Sequence, residues 1–264
     1  MKSLLLLAPL FLTLPTTALF ILLPLYVYPN TSASDWSNAT AAIAAYPKVQ
    51  WQIIVNPDSG PGTTGYPTDP NYITGIAQLN SYANVQTLGY VDTNDTHRAY
   101  AAVVSDIDVY ASWANYPDSQ YNISMAGIFF DDVNNTKSTA VSTYMHNASA
   151  YAYATVPSDI TPVVFNPGAL APTTLFSYCD TMVEFEDFSS SYQNATTIAT
   201  IPSAYRGQSA ILVHNTMGTT TNVKSLVHTM AQDGIEAVYF TSDCCYNALN
   251  GTLLMQLAAA VQAG

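Results

Sequence analysis

Asp131-Asp132 closes the apolar run Gly127-Ile128-Phe129-Phe130, and Glu184 and Glu186 sit two apart in Thr181-Met182-Val183-Glu184-Phe185-Glu186. Acids that end short apolar runs stand at the border between a packed core and a loop. A carboxyl there is partly dehydrated and still reaches a ligand, as general acid–base and nucleophilic chemistry require. Side chains alternate along a strand, so Glu184 and Glu186 share a face opposite Val183 and Phe185. That face is expected to point inward, with Glu186 nearer the strand end and Glu184 deeper and supportive. Asp131 and Asp132 have opposite parity; one follows the inward face and the other caps a turn or the next helix, and parity leaves open which. Two carboxylates facing across a cleft suit glycoside hydrolysis: one protonates the leaving oxygen, and the other attacks the anomeric carbon or activates water. Taken singly, each acid has an ordinary alternative as a helix cap or a surface charge.

Such residues need elements to hold them. Eight β-rich runs are legible: Leu23–Tyr28, Trp51–Asn56, Gln86–Asp92, Ala126–Asp131, Thr161–Asn166, Thr181–Glu186, Ala210–Asn215 and Glu236–Ser242. Each is nearly continuously apolar, the pattern of a strand buried on both faces. Between them lie alanine-rich segments with helical spacing at Asp35–Tyr46, Asn71–Tyr82, Ala99–Trp113, Thr139–Tyr153, Val223–Met230 and Leu253–Val261. The segments after the fifth and sixth strands are less regular. Alternating buried strand and helix indicates parallel βαβ units, and eight of them at this length predict a single (β/α)8 TIM-type barrel. A doubly wound open sheet is the alternative, but no Gly-x-Gly-x-x-Gly follows the first strand.

The polar residues collect at the C-terminal ends of these strands, where a barrel carries its active site. Asp131, Asp132 and Glu186 are the expected catalytic residues. Tyr26, Tyr28, Asn56, Tyr90, Asp92, Asn166, Glu184, His214 and Asp243 are the expected substrate contacts. The 19 tyrosines suit sugar rings, offering an apolar body with a polar tip.

Composition narrows the class further. The chain carries 18 acidic and six basic residues, a net charge of −12, which repels phosphate backbones and argues against nucleic-acid partners. Met1-Lys2-Ser3, the apolar run Leu4–Leu14 and the small residues ending at Ala18 read as a signal peptide over residues 1–18, leaving a barrel domain over 19–264. A retained signal anchor is the alternative, but Pro9 and Pro15 interrupt the run and it is shorter than a membrane span. Sequons begin at Asn30, Asn38, Asn94, Asn122, Asn134, Asn147, Asn194 and Asn250, which supports secretion and glycosylation. The protein is therefore expected outside the cell or on its wall, as a monomer, with no membrane partner once the signal is removed.

The cysteines are Cys179, Cys244 and Cys245. Their spacing matches no zinc pattern, and no metal or cofactor is called for. One buried thiol with a strained or reduced pair is one reading; a vicinal Cys244–Cys245 disulfide forming a rigid plate beside the site is the other.

Several stretches together carry a family resemblance. Pro24–Pro29, Ile54-Val55-Asn56-Pro57-Asp58-Ser59-Gly60-Pro61-Gly62, Leu88-Gly89-Tyr90-Val91-Asp92-Thr93, Gly127–Asp132 and Phe165-Asn166-Pro167-Gly168 resemble the spherulin-4 family, also called spherulation-specific family 4. The resemblance covers essentially the whole chain after the leader. It implies a barrel and kinship with glycoside hydrolase family 135, whose characterised fungal relatives cleave galactosaminogalactan within the chain at α-1,4-linked N-acetylgalactosamine. It places the family's acidic pair on Asp131 and Asp132 and its glutamate on Glu186. By analogy with related retaining hydrolases, Asp131 is then the nucleophile and Glu186 the acid/base. One departure stands out: the second acid of the pair is commonly Glu and here is Asp132, shorter in reach by about 1.5 Å. Activity does not follow from membership alone.

The leading expectation is an endo-acting hydrolase of an amino-sugar polysaccharide. A non-catalytic carbohydrate-binding protein of the spore or wall is the second. A Ser/His/Asp hydrolase built on His214 is a third, weakened by the absence of a Gly-x-Ser-x-Gly elbow.

Overall fold

The computed structural model describes residues 19–62, 64–216 and 219–264. The expected signal peptide, residues 1–18, lies outside the described residues. The strands are β1 (Phe20–Leu25), β2 (Trp51–Val55), β3 (Val85–Asp92), β4 (Gly127–Asp131), β5 (Val163–Phe165), β6 (Thr181–Phe188), β7 (Ser209–His214) and β8 (Ala237–Phe240). They pair in chain order, all parallel, and β1 closes onto β8. The expected (β/α)8 barrel is therefore the fold.

The helices are α1 (Ser37–Ala45), α2 (Pro70–Asn80), α3 (Tyr100–Ser112), α4 (Thr139–Thr155), α5 (Asn194–Thr200), α6 (Thr220–Gln232) and α7 (Gly251–Ala263). A 3-10 helix, Thr173–Tyr178, stands where the helix after β5 would be, and α5 is a short helix. These are the two segments whose spacing was irregular. Several helices start where a side chain satisfies an orphan N–H: Asp69 caps α2 just before Pro70, Ser138 caps α4 and Asn250 caps α7.

Register decides which side chains enter the barrel. Tyr90 pairs with Phe129, Asp92 with Asp131, Phe129 with Val164, Glu186 with Leu212, and Leu212 with Tyr239, and these form the inward set. The alternate set, including Gly89, Ile128, Phe130 and Phe165, packs against the helices. Tyr110 of α3 lies directly over Gly89, where an added Cβ would collide with the ring. Gly127 is tighter: its Cβ would strike the carbonyl of Pro162 on the approach to β5. Among the described residues no helix is long and apolar enough to cross a membrane.

Strand boundaries differ from expectation, most of all in β1. β1 runs over Phe20–Leu25 rather than Leu23–Tyr28, so Tyr26 and Tyr28 lie beyond it. The run Leu19–Val27 is uniformly apolar and contains no internal cue to its ends; pairing with Trp51–Val55 and with Ala237–Val238 sets them. β5 shrinks to Val163–Phe165. Pro162, which has no N–H to give, still accepts from Ile128 at 3.0 Å and marks the strand's entry.

Candidate active site

Asp131, at the end of β4, is the inward acid of its pair. Its Oδ2 accepts from the Tyr90 hydroxyl at 2.7 Å and its Oδ1 from the Asn166 amide at 2.7 Å. The same Asn166 nitrogen donates to Oε2 of Glu186 at 2.6 Å. One buried amide at the end of β5 thus bridges the two carboxylates, and their bridged oxygens lie no more than about 5.3 Å apart, the sum of its two hydrogen bonds. Asp131, Glu186, Asn166, Tyr90, Asp92, Asp132, Pro167 and Gly168 line an open hollow of about 270 Å³.

Glu186 is held from its other side as well. The Tyr246 hydroxyl donates to its Oε1 at 2.5 Å, and His214 Nε2 lies 2.7 Å from that hydroxyl and 3.3 Å from Oε1. With the phenol proton given to Glu186, the imidazole N–H is the donor to the phenol oxygen. Tyr26 meets the rings of Tyr90 and Tyr246 edge-on, at 5.6 and 5.5 Å between centroids, and so spans the floor between the two acids.

The environments of the two acids differ. Burial pushes Asp131 up to about 6; the nearby Glu186 charge adds to this, while hydrogen bonds from Tyr90 and Asn166 oppose it. Burial raises Glu186 too, but hydrogen bonds from His214, Tyr246 and Asn166 outweigh it and leave the carboxyl below its ordinary value. Of the two, Asp131 is therefore the weaker acid and keeps a proton to the higher pH. Tyr26, Tyr90 and Tyr246 all have their hydroxyls raised, first by burial and then by the acids beside them, so each remains a donor.

Asp132 turns away from its neighbour. Its φ is +54°, and its carbonyl accepts from the Thr93 hydroxyl at 2.7 Å and from Asp95 N–H at 2.8 Å. The exposed side chain stands at the rim of the acid hollow. Asp92 lines the same rim and accepts from Asn94 N–H at 2.7 Å.

Other expected contacts lie elsewhere. Asn56 accepts from Gly60 N–H at 2.9 Å and braces the loop after β2. Tyr28, 44% exposed, donates to Asp69 at 2.7 Å and packs on Tyr72. Asp243 gathers backbone N–H groups, among them that of Asn247 at 2.6 Å, and backbone hydrogen bonds from Asn247, Cys244, Cys245 and Ala248 hold its carboxyl below its usual range. It organises the turn that presents Tyr246.

The expected common face of Glu184 and Glu186 is corrected. Val183 pairs with Ala210 and Phe185 with Ile211, so a β-bulge leaves Glu184 as an extra residue in β6. The bulge breaks the alternation on which the sequence reading relied. Glu184, only 3% exposed, accepts from Ala171 N–H at 3.1 Å rather than joining the acid pair.

Tyr246 was missed by sequence reading. It follows the adjacent cysteines, which form the vicinal disulfide Cys244–Cys245, while Cys179 is a buried free thiol. The available signal was its place in the loop after the last strand, which a barrel puts on the active face.

Comparison with known proteins agrees with this architecture. The family model for spherulation-specific family 4 matches residues 20–261. Spherulin-4 of Physarum polycephalum is 30% identical over 255 residues, covering 92% of this chain and 70% of that protein. The crystal structure of Aspergillus clavatus Sph3 in complex with GalNAc superposes with a TM-score of 0.84 at 29% identity, covering 93% of this chain and 98% of that one. A xyloglucanase of glycoside hydrolase family 5 from Bacteroides ovatus shares the fold alone, with a TM-score of 0.51 at 7% identity over 93% of this chain and 75% of its own. The chain belongs to spherulation-specific family 4.

Proposed function

We propose that the protein is a secreted glycoside hydrolase that cuts an amino-sugar polysaccharide of the fungal wall or matrix within the chain, with retention of anomeric configuration. The observation that carries this reading is the bridge through Asn166, which keeps one oxygen of Asp131 and one of Glu186 no more than about 5.3 Å apart, closer than the gap an inverting enzyme leaves for water. Retaining enzymes hold their acids about 5–5.5 Å apart, whereas inverting ones leave 6.5–9.5 Å for a water. The GalNAc bound by Sph3 supports an N-acetylhexosamine as the sugar, and the leader and sequons support the secretory route.

In this reading Asp131 attacks the anomeric carbon, and Glu186 protonates the leaving oxygen and then deprotonates water. Two features favour that division. Asp131 is pinned through both oxygens by Tyr90 and Asn166, which fix a nucleophile without exchanging protons with it. Glu186 is the acid beside a titratable partner, His214. Burial makes Asp131 the weaker acid at rest, yet positive charge developing at the anomeric carbon favours ionised Asp131 with the pair's proton on Glu186. Asp132, at the rim, contacts the sugar rather than the reacting bond.

The test is reducing-end release from α-1,4-linked N-acetylgalactosamine polymers, with the anomer formed first identified by NMR. Release of the retained anomer, lost in Asp131→Asn, is expected. Polymer binding without release would instead identify a carbohydrate-binding wall protein.

A further inference from the structure

We propose that the hollow beside the acid pair is a second sugar subsite, holding the polysaccharide unit next to the one being cleaved, with Glu184 as its polar anchor. This deepens the hydrolase reading and rests on it.

The hollow measures about 410 Å³ and lies between the Gly168–Leu170 loop, the outer side of the β6 bulge and α5. It shares Gly168 and Glu186 with the acid cleft, so the two spaces meet along one wall. At that lip Gly168 has a φ of +65°, and a Cβ there would approach the Glu186 side chain at 3.9 Å. A polymer seated on the acids can therefore cross the lip without meeting a side chain from residue 168.

The lining suits a sugar. Thr196, Thr197 and Thr200 line it, the Thr197 hydroxyl already accepting from Gln193 N–H at 3.0 Å and the Thr200 hydroxyl donating to the Thr197 carbonyl at 2.6 Å, and Leu170 and Phe185 add apolar surface. Small-molecule sites of this size combine apolar walls with a few placed polar groups. Glu184 is that polar group. It is almost fully buried, takes part in no step assigned to the acid pair, and accepts one backbone hydrogen bond from Ala171. A buried carboxyl is costly unless it is well partnered. A Leu at this position would avoid that cost, and an uninterrupted β6 would aim residue 184 into the barrel. The bulge turns it into the hollow, where it can accept from a sugar O–H or N–H. Burial also raises this carboxyl to about 7, consistent with a group awaiting a donor.

The experiment measures kcat/KM along a ladder of α-1,4-linked N-acetylgalactosamine oligomers of increasing length. Wild type should show one length step of roughly tenfold, the size of one well-placed hydrogen bond. Thr200→Trp, which fills the hollow from the exposed end of α5, should erase that step while leaving shorter oligomers unaffected. Glu184→Gln, which keeps the shape, should reduce the step without erasing the turnover of short oligomers. A step that survives Thr200→Trp, no step in wild type, or equal losses at all lengths would overturn the subsite. If wild type cleaves no oligomer, the hydrolase reading fails separately, and calorimetric binding of the same ladder decides the subsite: an affinity step lost in Thr200→Trp sustains it, and a flat series ends it.

Discussion

Asn166 Nδ2 stands 2.7 Å from Asp131 Oδ1 and 2.6 Å from Glu186 Oε2, so a single amide from β5 spaces acids carried by β4 and β6. Such a bridge does two things at once. It fixes the gap that a sugar's anomeric centre must fit, and it stabilises the ionised form of both carboxyls. Asn166→Ala is expected to lower kcat by about a hundredfold or more, on the scale of losing one preorganised donor. Loss of the donor raises both carboxyl pKa values, so the acidic limb of the pH–kcat/KM profile should move upward. A profile with unchanged limbs would deny Asn166 this role.

The division of labour between the acids is open to direct test with an activated aryl glycoside. Glu186→Gln should retain the first chemical step on this substrate, which needs no proton for its leaving group, and azide should rescue turnover by capturing the glycosyl-enzyme. Asp131→Asn should remain inert with or without azide. The converse pattern would make Glu186 the nucleophile and Asp131 the acid/base.

Tyr246 acts on the reaction through Glu186. In Tyr246→Phe the carboxylate loses its hydroxyl donor and its pKa rises. Glu186 then stays protonated to higher pH, and the alkaline limb of kcat/KM should shift upward with a fall in kcat of about tenfold or more. A merely structural role would lower the melting temperature and leave the limb in place, so differential scanning calorimetry should accompany the kinetics.

Stability should depend on pH in the sense opposite to that of a protein dominated by salt-bridged carboxylates. Burial raises Asp131 from 3.8 to about 6 and Glu184 from 4.5 to about 7. Each keeps its proton in the folded state after losing it in the unfolded state, so stability is greatest below about pH 4 for these groups and declines as pH rises through 4 to 7. Glu184→Gln should therefore stabilise the protein at pH 7, by on the order of 3 kcal/mol, and have little effect near pH 4. Equal melting shifts at both pH values would show that the carboxyl's ionisation is not the cause.

Gly127→Ala tests the packing that carries Asp131 to its place. The new methyl would meet the Pro162 carbonyl, a backbone atom of the neighbouring strand's approach that cannot rotate aside. A loss of about 3 kcal/mol or more is expected from denaturant titration. Gly207→Ala, where a Cβ has no neighbour within 4 Å, serves as the control.

Much of this was legible in the residues themselves. The eight apolar runs, the breaks between them and the acids at their ends follow from burial and periodicity, which are local properties. So does the placing of Asp131, Glu186, Asn166 and His214 at one end of the barrel. Tyr90 and Tyr26 also reach the site, although Tyr26 does so from beyond β1 rather than from its end. Tyr28, Asn56 and Asp243 share the expected end but bond to neighbouring loop groups instead of the acids.

What the chain alone determined is the alternation of buried strand and amphipathic helix, and with it the barrel and the end that bears the polar groups; these depend on the type and period of side chains. Only the tertiary structure decided that Asp131 and not Asp132 turns inward, that Glu184 leaves the face of Glu186, and that Tyr246 comes to Glu186 from sixty residues away. Those outcomes depend on register between neighbouring strands and on backbone turns of positive φ, which arise from packing many segments at once and leave no local period to read.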